Sequence, residues 1–179
     1  MNPVTRNRAI GMVLALAIFG VDQWVKHWVT GPLGLNEVGD VWPVLPIFAL
    51  RFTQNFGVSL GMFTAASDAQ RWMLVGVTAV IALVVTVWLA RERKLGEIIA
   101  LALILGGALG NIRDRVQLGY VVDYADLHFG SFRPFLIFNI ADAAISIGVV
   151  IILARAIFLR DKRDHTTDDR PDEAPETVR

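Results

Sequence analysis

A single carboxylate lies inside an apolar run that is long enough to cross a lipid bilayer. The run covers residues 134–154, reads PFLIFNIADAAISIGVVIILA, and has Asp142 as its only charged residue. A helix needs about 20 mostly apolar residues to cross the hydrocarbon core. Because a charge at that depth is costly, an intramembrane acid usually faces a protein interior or a watery cavity and marks a functional site. The alternative is a packing role, in which Asp142 bonds Asn139 or another helix.

The rest of the chain also has the composition of a membrane protein. It has 179 residues, 54% of them hydrophobic, and a mean hydropathy of +0.51, which exceeds that of ordinary soluble domains. The sequence predicts four transmembrane helices, at residues 9–29, 72–90, 95–112 and 134–154. The predicted fold class is therefore an all-α membrane protein with four transmembrane helices and a small extracytoplasmic loop region that contains a strand.

The distribution of basic residues predicts the orientation of these helices. Four spans put both termini and the short turn at 91–94 on one side, which holds 11 of the 17 Lys and Arg residues. Because Lys and Arg accumulate on the cytoplasmic side, both termini are predicted to be cytoplasmic. Residues 1–160 then form the membrane domain, and the charged segment at 161–179 is predicted to be a disordered cytoplasmic tail.

The first outward connection contains the apolar stretch VWPVLPIFALRFTQNFG. Within it Phe48, Leu50 and Phe52 alternate with other residues, which is typical of a short strand with one apolar face. Aromatic side chains favour the membrane–water interface, so we expect this loop to lie there. Packing as a cap on the helix ends is the alternative, and the two are compatible.

Polar residues in or beside the predicted helices gather at one membrane face. The alternating helix directions place these at or near the outer ends: Asp22, Lys26, Asn111, Asp114, Arg115, Asp123, Asn139 and Asp142. Residues four apart share a helix face, so Asp22 can pair with Lys26. The same spacing relates Asn111 to Arg115. The alternative for the first pair is an ordinary interfacial ion pair, and for the second a role in holding loop carbonyls.

The chemistry that such a cluster supports follows from its two unpaired acids. If Asp123 and Asp142 meet, their charges repel, one pKa rises, and the pair shares a proton. One carboxylate then acts as a general base on water, while the protonated one polarises a carbonyl or protonates a leaving amine. Asn139, Asn111 and Arg115 are suitable donors to orient these groups. The sequence therefore predicts hydrolysis by an acid pair.

Other chemistries find less support. The chain has no cysteine, and its three histidines are scattered and form no HExxH motif, so no metal site or cofactor is predicted. Residues 57–61 match the G-x-S-x-G pattern, but that motif requires a strand–turn–helix elbow and a histidine partner. A transporter or channel subunit would spread polar residues through the membrane depth. A membrane assembly subunit, whose acids serve packing, stays an alternative.

Five sequence blocks carry a resemblance to a known family. They are DQWVK at 22–26, NFGVSLGMF at 55–63, GGALGNIRDR at 106–115, VVDY at 121–124 and FNIAD at 138–142. In this order, on a chain with four predicted spans, they resemble the lipoprotein signal peptidase (signal peptidase II) family. The central block departs from the NxGAAF that many members carry, because Val58, Ser59 and Leu60 follow Gly57 here. This leaves the detail of that wall of the site open.

The resemblance implies an aspartic endopeptidase of the bacterial cytoplasmic membrane that cleaves prolipoproteins before their diacylglyceryl-modified cysteine. It implies that Asp123 and Asp142 are catalytic. Supporting or substrate-binding roles fall on Asp22, Lys26, Asn55, Gly57, Asn111, Arg115, Asn139 and Ala141. The expected partners are lipidated precursors and membrane lipid, without nucleic acid, metal or cofactor, and the chain is expected to be a monomer with its site near the outer face.

Overall fold

A computed structural model describes residues 2–57, 68–130 and 132–164, with side chains up to residue 158. These residues form, in chain order, α1 (Pro3–Thr30), β1 (Val41–Leu45), β2 (Phe48–Asn55), α2 (Asp68–Arg91), α3 (Leu95–Gln117), β3 (Val121–Leu127) and α4 (Ile140–Asp164). Each of the four helices has a stretch long and apolar enough to span a membrane. The predicted fold class of a mostly helical membrane protein is confirmed. The predicted tail lies outside the described residues from 165 onwards.

Helix α3 is the centre of the bundle and packs against α1, α2 and α4. Its glycines allow this contact. A Cβ added to Gly106 would lie 2.5 Å from the Ala15 carbonyl oxygen of α1. A Cβ added to Gly110 would lie 2.5 Å from the Asp22 carboxylate. Small residues at such positions let helices approach closely in lipid, so the polar end of α1 is held directly against α3.

The C-terminal end of α3 is capped by a side chain from α2. Arg71 Nε donates to the carbonyl of Arg115 at 2.6 Å, and Arg71 Nη2 donates to the carbonyl of Val116 at 2.5 Å. These carbonyls belong to the last turn, where intrahelical donors run out. Gly119 then reverses the chain with φ +88°, a conformation that favours glycine. The chain therefore enters β3 directly above the helix ends.

A three-stranded antiparallel sheet, in the order β1-β2-β3, packs through β3 against α1 and α3. In β2, Leu50 and Phe52 are buried and Phe48 packs beside them, which confirms the predicted strand and its apolar face. In contrast, every residue of β1 is exposed. The sequence did not predict β1 or β3 as strands. Strand β3 escapes the usual alternation because its first six residues, VVDYAD, are all buried.

The start of the fourth helix differs from its prediction. Helix α4 begins at Ile140 rather than at Pro134. The preceding residues run beside β3, where Phe138 and Ala125 exchange backbone hydrogen bonds of 2.8 and 3.2 Å. Asn139 then caps the helix, because its Oδ1 accepts the Asp142 N–H at 2.9 Å. Asp142 consequently lies in the first turn of α4, beside the sheet, rather than well inside an apolar helix.

Candidate active site

Asp123 lies on β3, is 2% exposed, and faces amides rather than cations. Its Oδ1 accepts from Asn139 Nδ2 at 2.6 Å, and its Oδ2 accepts from Asn55 Nδ2 at 3.0 Å. Burial, and next the charge of Asp142, raise the pKa of Asp123 to about 7, against the opposing effect of the two amide bonds. The carboxyl can therefore hold a proton at neutral pH.

Asp142 is tied to Asp123 through one amide side chain. Asn139 donates to Asp123 and, with its own oxygen, accepts the backbone N–H of Asp142. Asp142 Oδ1 accepts from Asn111 Nδ2 at 2.8 Å. The structure thus brings the two predicted acids into one hydrogen-bonded network.

A buried lysine holds the floor of this network. Lys26, 4% exposed, lies 2.8 Å from a carboxylate oxygen of Asp22 and 2.8 Å from one of Asp114. The predicted pairing of Asp22 with Lys26 is confirmed. Asp22 Oδ1 also accepts the N–H of Ala141 at 3.0 Å, so Ala141 participates through its backbone. The ion cluster therefore joins α1 and α3 to the start of α4.

Asp114 is a site residue that the predicted set omitted. Besides binding Lys26, its carboxylate accepts the backbone N–H of Val122 at 3.2 Å. It therefore links the end of α3 to β3, next to Asp123. Its position at the outer end of α3 was visible in the sequence, but this bond depends on the path of the chain through the turn at Gly119.

Asn55 and Gly57 act as a unit. The Gly57 N–H donates to Asn55 Oδ1 at 2.7 Å, so the amide nitrogen of Asn55 is turned toward Asp123. Gly57 has φ +80°, and an added Cβ would lie 2.6 Å from Leu74 Cδ1. Both facts favour glycine at this position. Residues 58–61, which complete the G-x-S-x-G match, lie outside the described residues.

The Arg115 guanidinium interacts electrostatically with the acids of the network, but it forms no side-chain hydrogen bond with them in the described part of the chain. The charges of Asp142, Asp123 and Asp114 all act on its guanidinium. Its Nε is buried and has no hydrogen-bond partner among the described residues. Asn111, which shares its helix face, bonds to Lys26 Nζ at 3.4 Å and to Asp142 instead. The predicted pairing of Arg115 with Asn111 is thus replaced by these bonds, and the role of Arg115 in the site stays a prediction.

A cleft of about 770 Å³ opens beside Asp123. One wall is the end of β2 together with Phe56, which follows it, and the other is the segment 133–137. The sequence did not predict this second wall, because residues 134–137 were assigned to a transmembrane helix. Within the described part of the chain, no group of three or more His, Cys, Asp or Glu side chains is arranged to hold a metal ion.

Four apolar helices, a small antiparallel sheet and a buried carboxylate network define a multi-pass membrane protein with a polar site at one end of its bundle. The model of the family described as signal peptidase (SPase) II matches residues 14–158. The chain therefore belongs to the signal peptidase II family and is a bacterial membrane peptidase.

Relatives and solved structures agree with this assignment. The chain is 52% identical over 152 residues to the lipoprotein signal peptidase of Sphingopyxis alaskensis, covering 85% of this chain and 87% of the relative. It is 45% identical over 157 residues to that of Rhizorhabdus wittichii, covering 88% and 91%. A bacterial membrane enzyme solved by the in meso method at 1.9 Å resolution matches with a TM-score of 0.72 and 26% identity, over 83% of this chain and 93% of that one.

Proposed function

We propose that this chain is an aspartic endopeptidase that removes signal peptides from prolipoproteins by cleaving before the diacylglyceryl-modified cysteine. Asp123 and Asp142 are the catalytic pair. The observation that carries the proposal is the network in which Asn139 donates to the Asp123 carboxylate and accepts the backbone N–H of Asp142, together with the raised pKa of Asp123. Membership of the signal peptidase II family supplies the substrate class.

The acid pair activates water because it carries one proton between two carboxylates. Below about pH 7 the burial of Asp123 favours this singly protonated state. The ionised carboxylate takes a proton from water as the water attacks the scissile carbonyl, and the protonated one donates a hydrogen bond to the carbonyl oxygen. When the tetrahedral intermediate collapses, a proton passes to the amine of the departing cysteine. The pair then returns to its single-proton state.

Residues around the pair have positioning roles in this proposal. Asn55, Asn111 and Asn139 each donate to a catalytic carboxylate and hold its orientation. Arg115 has donor capacity left for a substrate carbonyl or for the developing oxyanion. The Lys26 ion cluster anchors the helices from which these side chains project.

The membrane geometry suits a lipidated substrate. We place both termini in the cytoplasm and the acids at the outer face, on the strength of the basic residues on the opposite side. A diacylglyceryl group prefers the bilayer, so an enzyme whose acids lie where helices meet an outer sheet cleaves without extracting it. The exposed Phe135 and Leu136, on the wall of the cleft, offer apolar contact to that lipid.

The test replaces each acid separately by its uncharged isostere. Asp123→Asn and Asp142→Asn, reconstituted in liposomes, are each expected to abolish cleavage of a lipidated precursor while still folding and inserting. Asp68→Asn is the matched control, because that side chain is 90% exposed at the start of α2. Normal cleavage by either site variant contradicts the acid-pair mechanism. Cleavage of an unlipidated precursor as fast as of the lipidated one contradicts the substrate assignment.

A further inference from the structure

A second buried carboxylate on β3 organises two arginines at the rim of the cleft. Asp126 is 1% exposed. Its oxygens accept from Arg51 Nε at 3.0 Å, from Arg133 Nε at 3.1 Å and from Arg133 Nη2 at 3.4 Å. Burial opposes its ionisation, but the bonds from Arg133 and Arg51 outweigh it and hold the pKa of Asp126 below its usual range. Two guanidinium groups share one carboxylate, so the group carries a net positive charge.

The two arginines differ in what they face. Arg133 lies on the wall of the cleft that contains Asp123, and its side chain is 44% exposed. Arg51 is outside the described lining of the cleft, and its side chain is 32% exposed. Three N–H groups of the Arg133 guanidinium remain after its bonds to Asp126, and they have no acceptor in the described part of the chain. Arg133 is the one cation among the described lining residues of the cleft.

The position of Arg133 relates it to one part of a substrate. Its partner Asp126 follows Asp123 by three residues along β3, a span of about 10 Å in an extended strand. Because its guanidinium bonds Asp126, Arg133 lies beside β3 at a point three residues beyond Asp123. The lipid and the signal peptide of a precursor stay in the bilayer. Under the proposed function, the segment after the modified cysteine is the part of the substrate that leaves the bilayer on the side of the sheet.

We propose that Arg133 is a specificity-determining residue that binds an acidic side chain in the mature segment of the substrate, within a few residues after the modified cysteine. This inference rests on the proposed function. Asp126 fixes the Arg133 guanidinium through two bonds and leaves its remaining donors available at the cleft. Binding by this side chain therefore costs less conformational entropy than binding by a loose surface arginine. Asp126, which holds Arg133, lies three residues beyond Asp123 on β3, a backbone span equal to about three residues of an extended peptide.

The test compares lipidated precursors that differ at a single position, carrying Asp, Asn or Lys two, three or four residues after the cysteine. In liposomes of zwitterionic lipid at low salt, the intact enzyme is expected to cleave the Asp substrate about threefold better than the Lys substrate by kcat/KM at one of these positions, as an exposed ion pair allows. Arg133→Gln is expected to remove the preference, Arg133→Glu to reverse it, and Arg133→Lys to retain part of it.

Arg51→Gln is the matched control, because it removes the other guanidinium from Asp126 and is expected to leave the preference unchanged. A preference that survives Arg133→Gln overturns the proposal, as does equal cleavage of all three substrates by the intact enzyme. An Arg133 effect that is the same for every substrate and grows with anionic lipid content assigns the residue to lipid instead, and also overturns it. Failure of the intact enzyme to cleave any lipidated precursor contradicts the proposed function itself.

Discussion

Asp123 and Asp126 lie three residues apart on β3 and are almost equally buried, at 2% and 1% exposure. Their pKa values nevertheless shift in opposite directions. Burial and the charge of Asp142 raise the pKa of Asp123 to about 7, whereas two arginines hold the pKa of Asp126 below its ordinary value. Burial alone therefore does not decide the protonation of an acid in this protein. The direct partners decide it, because Asp126 forms ion pairs with two arginines whereas Asp123 is bonded only by amides in the described part of the chain.

The largest predicted difference is the one between variants in which Asp123 or Asp126 is neutralised separately. Asp123→Asn is expected to lower the rate of cleavage by about 10³-fold or more, since general acid–base catalysis contributes on that order. Asp126→Asn is expected to weaken the fold, because two guanidinium groups then lack a charged partner, but to keep the turnover of the folded fraction. Turnover per folded molecule, from rates and the folded population, separates the two effects. A similar catalytic loss in both variants contradicts the division of roles.

The next largest effect is expected on the free energy of unfolding, when the cation that pairs with Asp22 and Asp114 is removed. Lys26→Met leaves Asp22 and Asp114 buried without their shared cation. Removing one member of a buried ion cluster costs about 3–5 kcal/mol of unfolding free energy. Lys94→Met, at an exposed position on the opposite side of the bundle, is expected to change it little. Unfolding in mixed micelles measures both, and equal stability of the two variants removes the structural role given to Lys26.

The opposite pKa shifts predict opposite dependence of stability on pH. Asp123 binds a proton more tightly when folded, so between the unfolded pKa of about 3.9 and the folded pKa of about 7 it makes the fold less stable as pH rises. Asp123→Asn removes that slope, so its stability relative to the intact protein is expected to increase between pH 5 and pH 8, by up to a few kcal/mol. Thermal unfolding midpoints at both pH values measure the change.

Asp126 is the control for this pH dependence of stability, because its contribution is expected to change with pH in the opposite direction. Its folded pKa is depressed, so its stabilisation is present above the unfolded pKa and disappears as pH falls through the folded one. The penalty of Asp126→Asn is therefore expected to be largest near neutral pH and to shrink in acid. Two variants with the same trend between pH 3 and pH 8 contradict the opposite assignments.

The smallest predicted effect concerns the alkaline limb of the pH–rate profile. We expect kcat/KM to fall above about pH 7, as the shared proton of the acid pair is lost. The Asn55 hydrogen bond favours the ionised form of Asp123. Asn55→Ala is therefore expected to move this limb upward, by less than about one pH unit. Thr53→Ala, two residues earlier on β2, serves as the control, and a downward shift in Asn55→Ala is the result that contradicts this role.

Much of the fold and part of the site were predictable because their signals are local. Apolar runs predicted the helices, and the spacing of Asp22 and Lys26 predicted an ion pair that forms at 2.8 Å. The bonds that organise the acids are not local. Asn55 and Asp123 are 68 residues apart, and the Asp22 carboxylate meets the Ala141 N–H across 119 residues. Such bonds depend on strand register and helix contact, which residue spacing does not contain.

By itself, the sequence determined that this chain enters a membrane with four helices and that its polar residues gather at one end, because apolar length and helix direction follow from residue order. Only the tertiary structure decided that Asn139 caps α4, placing Asp142 in the first turn, and that Arg133 lines the cleft. The physical reason is that residues 134–138 are as apolar as those of a transmembrane helix, so their composition predicts that they belong to one. The backbone pairing of Phe138 with β3 keeps residues 134–138 out of the helix, and no local sequence pattern encodes that pairing.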